Sequence, residues 1–259
     1  MLARERQICI LDILDKNRII KISEIVKSFS VSNETARRDL EFLQDQNLVK
    51  RIYGGAVPAT TFDKNFVNNS AFVEKQGHRE RAAIGKEASK LINEGESIFL
   101  DVGSTVHEVS RNIKRLKNLT VITNSVLVLN ELADTDVALF TLGGKVNHDE
   151  RTISGKLTEF VLQLFFVDKA FIGAGGITLS GGISDYNIDE ALLKNTICEH
   201  AAKVILVAHS GKFGKNAFSA GCSLSKVNTI ITDSKISKEY KDGIRDMGIE
   251  LILTDFPKE

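Results

Sequence analysis

The segment "SNETARRDL", residues 32–40, has the features of a capped helix with one apolar face. Ser32 is a residue type that favours the N-cap position, where its hydroxyl accepts a backbone N–H of the first turn. Apolar residues then recur at positions i, i+4 and i+7, as Ala36, Leu40 and Leu43. This spacing predicts a short helix that buries one side against its own domain.

Two arginines and an aspartate follow Ala36 directly. At about 100° of rotation per residue, Arg37 and Arg38 point away from the buried side, whereas Asp39 borders it. We expect Asp39 to pair with a basic residue of the first helix. The arginines, which can contact phosphate or guanine bidentately, are expected to face a DNA duplex. The alternative is a solvated helix face with ion pairs such as Glu34–Arg38.

The flanking sequence predicts the rest of a small domain. Residues 4–15 carry an apolar stripe typical of a first helix, and Ser23 is a candidate N-cap for a second helix that ends at Phe29. The segment "LVKRIYGGAVP", residues 48–58, predicts a strand with basic residues, a Gly-Gly turn and a return strand. Helices joined by a tight turn and followed by such a hairpin form a winged helix-turn-helix.

Residues 1–57 resemble the DNA-binding domain of DeoR-type bacterial transcriptional regulators. The resemblance rests on "SNETARRDL", on its spacing from Arg6, and on "KRIYGGA"; the matching positions are Ser32, Thr35, Arg37, Arg38, Asp39, Leu40, Gly54 and Gly55. Tyr53 departs, since many members carry histidine there. Together with the outward side of the helix, the resemblance gives the candidate DNA-binding residues Ser32, Asn33, Thr35, Arg37, Arg38, Lys50, Arg51, Tyr53 and Gly54.

Bulk charge does not identify a DNA-binding protein here, because the 259-residue chain has 34 basic and 34 acidic residues. Residues 1–57 hold 10 basic and 8 acidic residues, which leaves 24 and 26 for the remainder, so the two parts carry +2 and −2. Any DNA affinity must therefore come from where the basic residues lie.

Targeting signals and metal motifs are not apparent in the sequence. No apolar run approaches the roughly 18 residues of a membrane span, and the N-terminal "MLARERQICILDIL" carries charges that a signal peptide lacks in its apolar core. The three cysteines, Cys9, Cys198 and Cys222, are isolated in sequence, and the histidines lack ligand spacing. We expect a cytoplasmic protein with reduced thiols, no metal, no cofactor and no membrane partner.

Residues 58–78 are interpreted as a connector between two domains. This segment is rich in Asn, Thr and Ser, has no sustained period and begins at one of the two prolines of the chain. Its phenylalanines, Phe62, Phe66 and Phe72, either pack against a domain or make a dimer contact. The sequence does not decide between these alternatives.

From Arg79 to the C-terminus, residues 79–259, apolar strands alternate with helical patterns, which predicts a mainly parallel α/β sheet covered on both faces. Five polar or Gly-rich segments, 101–105, 123–125, 143–144, 173–176 and 209–212, follow predicted strands. Ligands of such sheets bind beyond the carboxyl ends of the strands. The five segments are therefore expected to share one ligand crevice.

The residue types of these segments suit a phosphorylated sugar. Gly103 permits a close turn, and Ser104 and Thr105 bring hydroxyls and backbone N–H groups to a helix start, where phosphate binds well. Lys212 or Arg151 is expected to neutralise the phosphate; Asp101, Asn124 and Asp185 are expected to hydrogen-bond sugar hydroxyls. The alternatives are that "GST" only caps a helix, that the 173–176 glycines only permit tight packing, and that Glu190 and Lys194 form a surface pair at i, i+4.

The C-terminal blocks "IFLDVGST", "VITNS", "LGGKVNHDERTISG", "DKAFIGAGGI", "DEALLKNTI" and "SGKFGKNAF" resemble the sensor domain of the same family. That resemblance implies a fold similar to ribose-5-phosphate isomerase and a phosphorylated sugar as effector. The positions that match the expected pocket are Asp101, Gly103, Ser104, Thr105, Thr123, Asn124, Gly144, Arg151, Gly175, Asp185, Glu190, Lys194 and Lys212. His209 departs, since many members carry aspartate there.

The sequence therefore favours a transcriptional regulator, most simply a repressor of a carbohydrate operon, that binds double-stranded operator DNA and a phosphorylated sugar. The family resemblance and the pairing of operator half-sites imply a homo-oligomer, a dimer or a tetramer. One alternative is a sugar-phosphate isomerase or deaminase with an accessory DNA-binding domain, in which Asp185, Glu190 and Lys194 act as acid–base groups. Another is a DNA-binding module whose C-terminal domain serves only assembly.

Overall fold

A computed structural model describes residues 2–17, 20–46, 48–52, 54–58, 77–148 and 150–255. The chain divides into two compact units, Met1–Lys75 and Gln76–Glu259. Nearly all of the connector assigned to residues 58–78 lies outside the described residues. No helix in the described ranges is long and apolar enough to cross a membrane.

The described residues of the first unit form three helices and a small antiparallel sheet. The helices are α1 (Ala3–Asn17), α2 (Ile22–Phe29) and α3 (Asn33–Asp45), and the strands are β1 (Ile20–Lys21), β2 (Val49–Ile52) and β3 (Gly55–Pro58). The sheet order is β1-β3-β2, so β2 and β3 form the hairpin that the sequence predicts. The core is formed by Ile10, Leu14, Ile25, Ala36, Leu40 and Leu43, all fully or almost fully buried.

The prediction of Ser23 as the cap of α2 was wrong. The helix begins at Ile22, and Lys21 occupies the N-cap position. The backbone N–H of Lys21 donates to the Glu24 carboxylate over 2.8 Å, so the helix start is stabilised by a side chain inside its first turn.

The second unit is a parallel sheet with helices on both faces. Its strands are β4 (Ser97–Leu100), β5 (Thr120–Thr123), β6 (Ala138–Thr141), β7 (Lys145–Asn147), β8 (Thr152–Ser154), β9 (Val167–Ile172), β10 (Gly176–Thr178), β11 (Gly182–Asp185), β12 (Ala201–Val207), β13 (Ser219–Ala220), β14 (Thr229–Asp233) and β15 (Glu250–Thr254). Its helices are α4 (His78–Ser89), α5 (Ser104–Ile113), α6 (Val126–Leu132), α7 (Lys156–Leu162), α8 (Ile188–Glu199) and α9 (Lys238–Asp246).

The main sheet has the order β15-β14-β12-β9-β4-β5-β6, and every neighbouring pair is parallel. Apolar side chains of α4, α5 and α6 pack on one face, and those of α7, α8 and α9 pack on the other. The predicted parallel sheet covered on both faces is therefore confirmed. The structure adds an antiparallel sheet of β10, β11 and β13 and a β7-β8 hairpin, which the sequence analysis did not predict.

Candidate functional site

The outward side of α3 carries the polar residues that the sequence assigned to it. Ser32 accepts the Thr35 backbone N–H over 3.1 Å, so it caps the helix as predicted. Arg37 and Arg38 are exposed, and Arg38 pairs with Glu34 at 3.6 Å between Nε and Oε1. A pair this exposed is weak. Both guanidinium groups are thus accessible to a large partner.

Asp39 is buried and belongs to the scaffold of the first unit. Its Oδ2 lies 2.5 Å from Nε of Arg6 on α1, while its Oδ1 accepts from Arg6 Nη2 at 3.2 Å and from Gln7 Nε2 at 3.1 Å. Both oxygens of the Asp39 carboxylate therefore accept hydrogen bonds from α1. The expected pairing of Asp39 with a basic residue of the first helix is confirmed. This contact fixes α3 against α1, and with it the direction of the arginines.

The hairpin after α3 has the geometry of a wing. Gly54 has a φ of +82°, which glycine adopts without strain, at the turn between β2 and β3. A Cβ on Gly55 would lie 2.1 Å from the Ile20 carbonyl oxygen, so this position also needs glycine to let β3 pair with β1. The candidate contacts of Lys50, Arg51 and Tyr53 depend on side chains outside the described part of the wing.

A buried lysine lies where the polar loops of the second unit meet, at the ligand crevice that the sequence predicts. Lys194 of α8 places Nζ 2.9 Å from Asp101 Oδ2 and 2.8 Å from Asp185 Oδ2, and it donates to the Gly173 carbonyl over 2.9 Å. Burial alone would lower the pKa of Lys194, but the charges of Asp101 and Asp185 outweigh it and raise that pKa. Lys194 therefore stays charged and joins three strand ends, which contradicts the alternative of a surface pair with Glu190.

Several carboxyl groups crowd around Lys194. Glu190, one turn earlier on α8, has a buried Oε1 without a hydrogen-bond partner. Burial, and next the charges of Glu150 and Asp185, raise the pKa of Glu190 to about 8. Burial also raises the pKa of Asp185, against the effect of Lys194. At neutral pH Glu190 is therefore mostly protonated and can donate a hydrogen bond from a carboxyl group.

The start of α5 offers backbone donors beside this cluster. Gly103 has a φ of +119° and is exposed together with Ser104, whereas Thr105 is buried. The first N–H groups of a helix have no partner within it and attract anions. The 173–176 segment packs against the same loop, because Gly173 N–H donates to Asp101 Oδ2 over 3.2 Å.

Positive charge gathers in a second group. Burial, and next the charge of Lys215, lower the pKa of the half-buried Lys212 to about 8, with Arg81 and Lys194 acting in the same direction. Burial and the charge of Lys212 lower the pKa of His209 to about 4, so this imidazole is neutral. Its Nδ1 accepts the Gly211 N–H over 3.2 Å, an acceptor role that aspartate would also fill. Lys212 Nζ lies 6.0 Å from the ring centre of Tyr186, the residue after Asp185.

Four predicted crevice residues are either buried or packed closely within the chain. Thr123 donates to the Leu100 carbonyl over 2.7 Å and accepts the Ser125 N–H over 3.0 Å. Gly175 donates to Asp185 Oδ1 over 2.9 Å, and a Cβ on Gly144 would lie 2.2 Å from Thr158 Oγ1. Asn124 is fully buried, and its Oδ1 has no hydrogen-bond partner. Thr123, Asn124 and Gly175 are buried and therefore lie beneath the candidate crevice, whereas Gly144 is exposed.

Arg151 is placed differently from the other candidates. It has a φ of +52°, and it lines a separate groove of about 440 Å³ between α5 and α6, with His107, Lys114 and Glu131. That groove begins one helical turn after Ser104. The structure therefore brings Lys212, and not Arg151, to the lysine–carboxylate cluster.

Two charged residues near the candidate crevice were not predicted: Arg81 and Glu150, whose charges shift the pKa values of Lys212, His209 and Glu190. Arg81 had a readable signal: it is buried and lies on the same face of α4 as Ile84, Gly85 and Ala88, where an ordinary helix carries apolar residues. Glu150 had no such signal in the sequence, because it approaches Glu190 only through a loop that returns to the start of α8.

A winged helix-turn-helix with outward arginines, joined to an α/β unit with a charged crevice, defines the class of transcriptional regulators that carry a sensor domain. Two family models match the chain: "DeoR-like helix-turn-helix domain" over residues 6–62 and "DeoR C terminal sensor domain" over residues 76–234. The chain belongs to the DeoR family.

Relatives of known name match along the whole chain. The HTH-type transcriptional repressor GlcR of Bacillus subtilis is 31% identical over 98% of this chain and 98% of its own. The glycerol-3-phosphate regulon repressor of Escherichia coli is 29% identical over 94% of this chain and 96% of its own. Among solved structures, ribose 5-phosphate isomerase A of Methanocaldococcus jannaschii aligns with a TM-score of 0.40 and 19% identity, over 53% of this chain and 55% of that one.

Proposed function

We propose that this DeoR-family regulator is a repressor of a carbohydrate operon and that a phosphorylated sugar, bound in the crevice, controls it. The observation that carries the proposal is the proximity of opposite charges around Asp185: its charge acts on both Lys212 and Glu190, and Lys212 Nζ lies 6.0 Å from the ring of the adjacent Tyr186. The names of the relatives support it, since one is the repressor of a glycerol-3-phosphate regulon. Because an operator is chromosomal DNA, this function is exercised in the cytoplasm.

A phosphorylated sugar fits the two groups of the crevice. Its phosphate would bind the N–H groups at Ser104 and Thr105 together with the ammonium of Lys212, which is positive at neutral pH. Its hydroxyls would bind Asp185 and the protonated Glu190, whose Oε1 lacks a partner in the structure. A buried polar atom without a partner is costly, so a ligand that satisfies it gains affinity.

The ligand changes operator affinity only if it binds the DNA-competent and DNA-incompetent arrangements differently. Lys194 joins Asp101, Asp185 and the Gly173 carbonyl, which come from three segments of the second unit. A ligand beside this junction would shift those segments and, through the contact between subunits, the spacing of the winged domains.

The test is a titration of purified protein bound to a duplex that it has itself selected from random sequences, with a panel of phosphorylated sugars and their unphosphorylated forms. We expect at least one phosphorylated sugar to change the affinity for the duplex tenfold or more. Binding of the duplex without response to any sugar would instead favour a second unit that serves only assembly.

We also propose that the protein is a homo-oligomer that forms through the surface around α7, here called the α7 surface: Phe140, Leu157, Phe160, Leu164 and Phe166. Phe160, Leu164 and Phe166 are 62%, 67% and 78% exposed. The surface is continuous with β6 and α8, because the rings of Phe140 and Phe165 are 5.7 Å apart and those of Phe166 and His200 are 4.8 Å apart. Large apolar patches of this kind mark interaction sites, and a second copy would pair two recognition helices with two half-sites.

Phe160→Glu is expected to dissociate the oligomer, because it places a charge in the middle of the α7 surface. Sedimentation velocity should show a mass near that of one 28.5 kDa chain, and operator affinity should fall at least tenfold because half-sites are no longer engaged together. Met247→Glu, at an exposed apolar residue after α9, is the matched control. If the Phe160→Glu variant sedimented with the mass of the wild-type oligomer, the α7 surface would not be the contact between copies.

Binding of the phosphorylated sugar should weaken as the pH rises from 7 to 9. Below about pH 8 Lys212 is positive and Glu190 is neutral; above it Lys212 loses its charge and Glu190 becomes negative, since both have pKa values of about 8. Both changes disfavour an anion, whose own phosphate is already ionised above a pKa of about 6. Calorimetry is expected to give affinity roughly tenfold weaker at pH 9 than at pH 7, with a flatter profile for Lys212→Ala. Equal wild-type affinities would contradict this account.

A further inference from the structure

Two of the three cysteines, which are isolated in sequence, lie together in the second unit. The sulfur atoms of Cys198 and Cys222 are 3.1 Å apart, and both side chains are buried. Bonded sulfur atoms are about 2.05 Å apart, so the two thiols need to approach by only about 1 Å to be linked. Cys9 belongs to the first unit and is partly exposed.

The pair stands between two elements of the crevice. Cys198 lies one helical turn after Lys194 on α8. Cys222 follows β13, which pairs with β11 so that Ser219 lies opposite Asp185. The Cys222 carbonyl also accepts the Ile183 N–H of β11 over 2.9 Å. The two sulfurs therefore bridge the helix that carries Lys194 and the small sheet that carries Asp185.

We propose that Cys198 and Cys222 are an oxidation site that forms a reversible disulfide when the protein meets a hydroperoxide. The thiolate of Cys222 attacks one oxygen of the hydroperoxide, and the O–O bond breaks. Cys222 then carries a sulfenic acid (S–OH), and the other oxygen leaves as an alcohol, or as water when the oxidant is hydrogen peroxide. Cys198 then attacks that sulfur and the hydroxyl leaves as water. Together the two thiols lose two electrons and two protons, which are taken up by the two oxygen atoms of the hydroperoxide.

The arrangement of the two thiols assigns the order of the steps. The Cys198 thiol donates its hydrogen to the Cys222 sulfur, and this hydrogen bond lowers the pKa of Cys222 and raises that of Cys198. Burial opposes the lowering of the Cys222 pKa, and the positive charge of Lys194 favours it. Since thiolate is the nucleophile, Cys222 reacts first and Cys198 resolves the intermediate.

The disulfide would close a loop that contains part of the crevice. Residues 199–221 lie between the two cysteines, and they include β12 and the cationic Lys212. A bond between elements that are already in contact restricts their opening without rebuilding the fold. Oxidation is therefore expected to fix α8 against β13.

The test compares Cys9→Ser, which keeps only the buried pair, with Cys9→Ser/Cys198→Ser and Cys9→Ser/Cys222→Ala. After treatment of the folded proteins with hydrogen peroxide, peptide mass spectrometry should find the 198–222 disulfide in Cys9→Ser, reversed by dithiothreitol. The unfolding midpoint of that variant should rise by roughly 5 °C on oxidation, and amide exchange in α8 and β13 should slow at least threefold. In both double variants, hydrogen peroxide should leave the unfolding midpoint and the amide exchange of α8 and β13 unchanged.

Two outcomes would overturn the proposal. One is a Cys9→Ser protein whose buried thiols stay reduced, or pass directly to sulfinic acid, in excess hydrogen peroxide. The other is a 198–222 disulfide that leaves both the unfolding midpoint and the exchange of α8 and β13 unchanged. Circular dichroism of each reduced variant ensures that the comparison is made between folded proteins.

Discussion

Arg37→Ala/Arg38→Ala is expected to lower operator affinity by roughly a hundredfold or more, because each arginine that contacts a base or a phosphate contributes about 1–3 kcal/mol. The two guanidinium groups are exposed on α3 and are held outward by the buried contact between Asp39 and Arg6. Fluorescence anisotropy with a labelled operator duplex measures the loss. The salt dependence of binding should also become shallower, since fewer counterions are released.

Arg245→Ala provides the matched control for the arginine variant. Arg245 is also exposed, but it lies on α9 of the second unit, so its removal should leave operator affinity within twofold of the wild type. The double variant should keep its helical circular dichroism and its binding of the phosphorylated sugar. Operator affinity that survives the loss of both arginines would show that α3 is an ordinary solvated helix.

Lys194→Met is expected to lower the unfolding midpoint of the second unit by roughly 10 °C. It leaves Asp101 and Asp185 buried without their cation, and breaking a buried ion pair by removing one partner costs about 3–5 kcal/mol. Calorimetry of unfolding measures the shift. Adding Asp101→Asn to the same chain should recover part of it, because one of the two stranded charges is removed.

Lys203→Met is the control for the buried lysine, since Lys203 is exposed on β12. The unfolding midpoint of Lys203→Met should stay within about 2 °C of the wild-type value, because surface substitutions usually change stability little. If Lys194→Met unfolded at the wild-type temperature, the lysine would not hold the strand ends together. The crevice would then need another structural explanation.

The features that the sequence predicted depend on short-range periodicity. The outward arginines, the buried Ala36 and the inward Asp39 all follow from the rotation of one helix, and the structure confirms their placement. The alternation of strands and helices predicted the parallel sheet and the edge at which the polar loops gather, because parallel strands end on the same side. Family motifs then supplied the residue types of the crevice.

The features that the sequence did not predict depend on long-range pairing. Cys198 and Cys222 meet only because β13 pairs with β11 and α8 packs beside them, and no local pattern encodes that register. Arg151 and Lys212 are equal candidates for the phosphate in the sequence, and only the folded chain places Arg151 in a separate groove between α5 and α6. Arg81 was missed because a charged residue on an apolar helix face was not recognised as a buried one.

Control of an operator by a sugar requires that the two ligands influence each other's binding. If a phosphorylated sugar lowers operator affinity by a given factor, the operator must lower affinity for that sugar by the same factor. The most direct measurement is calorimetry of the sugar with free protein and with protein saturated by the operator duplex. We predict two dissociation constants that differ by the factor found in the operator titration; identical constants would contradict control of DNA binding through the crevice.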